Sequence, residues 1–228
     1  MQTDLSLWQV SKIFFLNECR SHLRAGQTCW LPVAFLLVIS TLWPLALPAE
    51  ITTLVQIAPG LIWIAVLLAI VLLMDKLFLA DFTDQALIHW LQSAYPLPML
   101  VLLRLLSVSL LFLITTSFIL PLYLILYQFS ATVWLHLQIS LFLGVPTLVA
   151  MGAVVSALLV GIGQRSILLP LLIIPLWVPV LIFSTSSIYQ AMLGIPVVGL
   201  WSILVALWLV SWSLAPFVIG AALRMGLE

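Results

Sequence analysis

The sequence predicts an all-α membrane protein with six transmembrane helices, both termini cytoplasmic, an N-terminal interfacial helix and one short cytoplasmic helix. Three observations carry this. The chain of 228 residues is 65% hydrophobic and only 6% charged, whereas about a quarter of residues are charged in soluble domains. No charged residue occurs over 51–74, 105–164 or 166–223, and about 20 apolar residues suffice to cross a bilayer core. The seven Lys and Arg residues all fall at the termini or in and beside alternate connections, so the positive-inside rule places those segments in the cytoplasm.

The elements follow in order. Residues 1–29 mix apolar and charged side chains instead of forming a basic start and an apolar block, so they read as a retained segment and not as a cleavable signal. On a helical projection Leu5, Trp8, Phe15, Leu16, Cys19 and Leu23 share one arc, interrupted by Lys12, as an interfacial helix requires. Spans are expected over 30–48, 57–74, 99–127, 134–160, 167–183 and 197–223, all within one domain over 1–228. Helix is the expected form because backbone groups in lipid must be satisfied within the segment. Pro121 and Pro146 fall inside the third and fourth spans, where each can kink or break the helix, and Pro170, Pro175 and Pro179 all fall in the fifth, which reads as statically kinked.

The connection over 75–98 stands apart, because Asp75, Lys76, Asp81 and Asp84 cluster there in an otherwise apolar chain. Thr83 or Asp84 is placed to cap a short helix, after which Leu87, Trp90 and Leu91 recur on one face. The two prolines at Pro96 and Pro98 set its end. Acidic at its start and apolar on one side, such a helix fits a groove on a partner protein.

Missing chemistry narrows the class further. No Asp, Glu, His or Lys sits at the centre of a span, and Arg104 lies close enough to the cytoplasmic boundary to snorkel. This argues against ion-gradient coupling by this subunit. The motif GxxxxGK[ST] is absent, and GIGQRS at 161–166 lacks the lysine, so ATP hydrolysis has to come from another chain. HExxH and GxSxG are absent as well, and no catalytic or metal-binding residue is expected. Cys19 and Cys29 form no CxxC pattern and fall on the reducing side. His22 and His89 are placed in cytoplasmic segments, and His136 reads as an external surface residue. Ala153, Ala157 and Gly161 make a smooth stripe for packing within the bundle, and Trp201, Trp208 and Trp212 line one side of the last span as packing or interfacial anchors.

Taken together, Ile57-Ala58-Pro59-Gly60-Leu61-Ile62-Trp63, then Leu77-Phe78 with Asp81 and Asp84, then Pro96-Leu97-Pro98, make a distinctive series. It continues through Gly144-Val145-Pro146-Thr147-Leu148, Leu169-Pro170-Leu171-Leu172-Ile173-Ile174-Pro175-Leu176, Leu181-Ile182-Phe183, Pro216-Phe217 and Ala221-Ala222-Leu223-Arg224. In this order the series resembles the CcmB family, the permease subunit of the cytochrome c maturation system, also called haem exporter protein B. The resemblance covers nearly the whole chain.

It implies an ABC-type permease of a bacterial inner membrane, non-catalytic itself and partnered by a separate CcmA-like ATPase that binds ATP. It further implies a CcmC-like haem-handling subunit, a small CcmD-like subunit and a CcmE-like periplasmic haem chaperone, with haem as a handled ligand and no nucleic acid. ATP turnover would then drive release of the loaded chaperone, and 75–98 would be the coupling loop seated in the ATPase. The contact residues implied are Asp81, Asp84, Leu87, Ile88, Trp90 and Leu91. Two positions depart from the family pattern: Gln85 stands where a glycine follows the second aspartate, and Ile88 where an acidic residue follows the leucine. Other readings are a permease for a lipid or polysaccharide and a non-transporting assembly scaffold.

Overall fold

The computed structural model describes residues 7–24, 27–46, 51–84, 86–93 and 95–226. All regular structure among them is helical. The elements are α1 (Leu7–Arg24), α2 (Gln27–Ala46), α3 (Ile51–Lys76), α4 (Leu79–Thr83), α5 (Ala86–Gln92), α6 (Leu97–Tyr127), α7 (Ala131–Leu158), α8 (Arg165–Met192) and α9 (Val198–Met225). The part of α3 from Thr53, α6, α7, α8 and α9 are each long and apolar enough to cross a membrane. The first expected span corresponds to α2, whose described apolar stretch, Leu31–Trp43, is shorter.

Packing sorts these helices into a centre and a rim. The most apolar windows of α3 and α7 are 67% and 72% buried, against 22% and 33% for α8 and α9. Two glycines let α7 take the central place. A Cβ at Gly144 would fall on the Trp63 ring of α3, and one at Gly152 would lie 2.7 Å from Trp177 of α8 and 2.9 Å from Met74 of α3. The two indoles are fully buried, so the backbone of α7 must run against them with no side chain between. Ala153 and Ala157 are buried on the same helix, while Gly161 lies beyond its end at φ 84°, a left-handed turn residue.

The prolines inside α6, α7 and α8 interrupt none of these helices. The carbonyl of Pro146 also accepts from Trp212 Nε1 at 3.1 Å, which ties α9 to the middle of α7. Trp208 lies against Trp212 at 6.4 Å between ring centroids. Trp201 instead contacts His136, whose Nδ1 lies 2.7 Å from the Thr132 carbonyl of its own helix. Towards that end Tyr123 and Ser40 share a 2.6 Å hydrogen bond, and Tyr127 donates to the Ser40 carbonyl, pinning α2 to α6.

At the opposite end the C-terminus of α3 meets the starts of α6 and α8. The Met74 carbonyl accepts from Arg165 Nη2 at 3.1 Å, and the Leu77 carbonyl accepts from Arg104 Nη2 at 2.5 Å. The ends of α7 and α9 close the same region, where Gly161 lies near Phe82 and the Gly226 carbonyl. Lys76, Arg104, Arg165 and Arg224 thus cluster at one end of the bundle, as the alternation of basic connections requires.

Candidate functional site

The last four carbonyls of any helix lack partners inside it. For α3 that deficit falls where the chain turns at Leu77 and Phe78 into α4, next to Asp75 and Asp81. Two buried arginines from other helices meet it. Arg165, 4% exposed, donates to Met74 O and to Ser156 Oγ at 2.8 Å, and Ser156 Oγ itself donates to Met74 O at 2.9 Å. Its Nε lies 3.9 Å from the Asp75 carboxylate. A cation at a helix C-terminus also complements the negative end of the helix dipole.

Arg104 does the same one turn further on and gathers more partners. Its Nη2 lies 2.6 Å from Asp81 Oδ2 while donating to Leu77 O, and Nη1 lies 3.4 Å from Glu18 Oε1 of α1. The guanidinium carbon sits 5.6 Å from the Phe78 ring centre and 5.2 Å from that of Trp90. Trp90 meets Phe14 of α1 edge-on at 5.7 Å. One side chain of α6 therefore joins α1, the end of α3, α4 and α5. Arg104 is expected to snorkel, but it is 6% exposed instead, because the carbonyl and carboxylate that satisfy it lie inside the fold.

The six residues expected to contact a partner divide accordingly. Asp81 is paired to Arg104, Leu87 is 1% exposed within the core, and Trp90 is half-buried over the guanidinium. Asp84 and Ile88 point outward, as does Thr83. The side chain of Leu91 lies outside the described residues, as do those of His22, Cys29, Gln85 and His89. A further short helix, α4, ends at Thr83, and the short helix expected after Thr83 or Asp84 is α5, Ala86–Gln92. Its apolar face is turned towards the bundle at Leu87, because the Arg104 cluster and the end of α3 draw that side inward.

Arg104 and Arg165 as counter-charges, and Glu18 and Ser156 as their supports, were not singled out by motif. A signal was present: seven acids balance seven bases, and a buried arginine needs a carboxylate partner. In α1 the Cys19 thiol is pushed above its ordinary pKa, first by burial and then by the adjacent Glu18 carboxylate. Among the described residues no group of three or more His, Cys, Asp or Glu side chains is placed to hold a metal.

A helical bundle of membrane-spanning length, braced by buried arginines where a short charged excursion leaves it, defines a multi-pass membrane protein. A family model described as CcmB protein matches residues 9–226, and the chain belongs to that family. It is 38% identical over 212 residues to heme exporter protein B of Haemophilus influenzae, covering 93% of this chain and 96% of that one. Similarity to heme exporter protein B of Pseudomonas aeruginosa is 35% over 218 residues, covering 95% and 97%. The protein of that name from Escherichia coli K12 is 33% identical over 224 residues, covering 98% and 100%.

Proposed function

We propose that the chain is the non-catalytic permease subunit of an ABC-type haem exporter serving c-type cytochrome biogenesis in a bacterial inner membrane. It has six spans with both termini cytoplasmic, α2 being the first, a reading supported by the gathering of Lys76, Arg104, Arg165 and Arg224 at one end of the bundle. A CcmA-like ATPase supplies the energy, and CcmC-like, CcmD-like and CcmE-like proteins complete the haem-handling assembly. ATP turnover in the partner drives haem export or release of the loaded periplasmic chaperone.

The observation that carries this reading is the fastening of α4 and α5 by Arg104. A lever must be stiff at its root and accessible at its tip. Asp81, Leu87 and Trp90 form the root, which transmits force into α3, α6 and α1. Asp84 and Ile88 form the tip that meets the ATPase, with Leu91 beside them in sequence. The apolar Ile88 at an exposed position suits a contact made by packing as well as charge.

Co-purification of the ATPase with Asp84→Lys and Ile88→Glu variants tests the assignment, together with ATP-dependent release of the haem chaperone. Loss of ATPase retention with normal membrane insertion is expected. Unchanged retention and unchanged release in the double variant would remove the coupling role.

A further inference from the structure

The last turn of α3 is flanked by two arginines whose contacts with acids differ. On the α6 side the Arg104 guanidinium and the Asp81 carboxylate are 2.6 Å apart. On the α8 side Arg165 Nε and Asp75 Oδ1 stop at 3.9 Å, too far for a hydrogen bond. Both atoms are buried, and neither they nor Arg165 Nη1 meet a hydrogen-bond partner among the described residues. The guanidinium is fixed, since its Nη2 donates to Met74 O and Ser156 Oγ. Asp75 has more freedom: its side chain is 34% exposed, and a shift of about 1 Å brings Oδ1 into bonding range.

We propose that the Asp75–Arg165 pair is a latch that stands open in this conformation and closes when the α4–α5 excursion is displaced. Leaving buried donors and an acceptor unmet costs stability, so this contact favours closure and the fold around it keeps it open. Asp75 is placed to feel the displacement. It lies two residues before Leu77, whose carbonyl Arg104 holds, and four before Leu79, where α4 starts. Arg165 in turn is the first residue of α8. That helix is 28 residues long, about 40 Å, and its most apolar window is only 22% buried, the least of the five long apolar helices. Closure therefore passes movement from the end of α3 to the helix least held by the bundle, and so to its far end at Met192. The latch rests on the reading of α4 and α5 as the ATPase contact and supplies a route from there to the other side of the bundle.

Asp75→Glu tests the latch, because one extra methylene spans the gap with the charge retained. Purified as the full chain in mild detergent, the variant should melt about 3 °C above wild type. In the complex with the ATPase and the haem chaperone it should retain the ATPase fully, yet release the chaperone about tenfold more slowly, the scale of one hydrogen bond to a charged group. Asp75→Asn, which removes the charge, should melt below wild type and slow release as well. A melting temperature of Asp75→Glu no higher than that of wild type overturns the latch, because the gap then does not close. A stabilised Asp75→Glu variant that releases the chaperone at the wild-type rate also overturns it, since a merely structural ion pair gives that result. A wild-type complex that holds no ATPase overturns the earlier reading of α4 and α5, and the relay with it, and is distinguishable because retention then fails before any substitution is made.

Discussion

Arg104 of α6 and Asp81 of α4 stand 2.6 Å apart inside the fold, joining a membrane-spanning helix to the charged excursion that leaves the bundle. The pair is worth less as attraction than as an obligation. Burying both charges costs about as much as their contact returns, but removing one leaves the other stranded. Arg104→Leu should therefore destabilise the protein by about 3 kcal/mol, because Asp81, Glu18 and the Leu77 carbonyl all lose the buried cation that faces them. Thermal unfolding in detergent reads the loss, and limited proteolysis should cut first at 79–92. The combined Arg104→Leu, Asp81→Leu variant should recover part of the stability, since no lone charge remains at that pair.

Leu87 and Ile88 are neighbours with opposite surroundings, and substitution should separate stability from partner binding. Leu87→Ala should cost about 3 kcal/mol through the cavity it leaves. Ile88→Glu and Asp84→Lys should change stability by no more than about 0.5 kcal/mol, as exposed substitutions do. Both should weaken retention of the ATPase subunit proposed above as the partner. If Leu87→Ala left the melting temperature untouched, the inward packing of α5 would be disproved.

Gly144 and Gly152 set the distance between α7 and the buried indoles of Trp63 and Trp177. Alanine at either should cost about 1–3 kcal/mol by overpacking. Gly60 is the internal control, with nothing within 4 Å of its added Cβ, and Gly60→Ala should stabilise α3 by about 0.5 kcal/mol through the lost freedom of the unfolded chain. Melting temperatures of the three single variants decide the matter.

The raised pKa of Cys19 has a direct readout. Its thiol should react with iodoacetamide more slowly than free cysteine at the same pH, and the rate should keep climbing above the pH at which a free thiol has levelled off. Glu18→Gln should speed the reaction by removing the nearby negative charge, provided Arg104 stays in place. In linkage terms the thiol's contribution to stability is fully present below its unfolded pKa and is lost as pH rises through the folded value. A rate equal to that of free cysteine would show that burial around Cys19 is absent in solution.

Much of this protein is legible without coordinates. The uncharged stretches locate the long apolar helices, since lipid imposes one rule, apolar length, on every segment alike, but not all of their ends: α3 begins six residues before the expected 57 and α8 runs nine residues past the expected 183. The series from Ile57 to Arg224 identifies the family, which the matched region 9–226 bears out. The Asp-rich connection is visible for the same reason as the spans: charge is so rare here that any cluster of it stands out.

Which way those charges point is another matter, and only the tertiary structure decided it. Helical periodicity puts Leu87 and Trp90 on one side of α5, but it does not say whether that side meets a partner or the chain's own bundle. The answer rests on contacts between residues far apart in sequence: Arg104 with Leu77 and Glu18, Arg165 with Met74. Composition and spacing are local quantities, whereas a helix end left short of hydrogen-bond donors is satisfied by whatever side chain the packing brings to it. The tight passages at Gly144 and Gly152 have the same origin, since a missing Cβ gains its meaning only from the indole that fills its place.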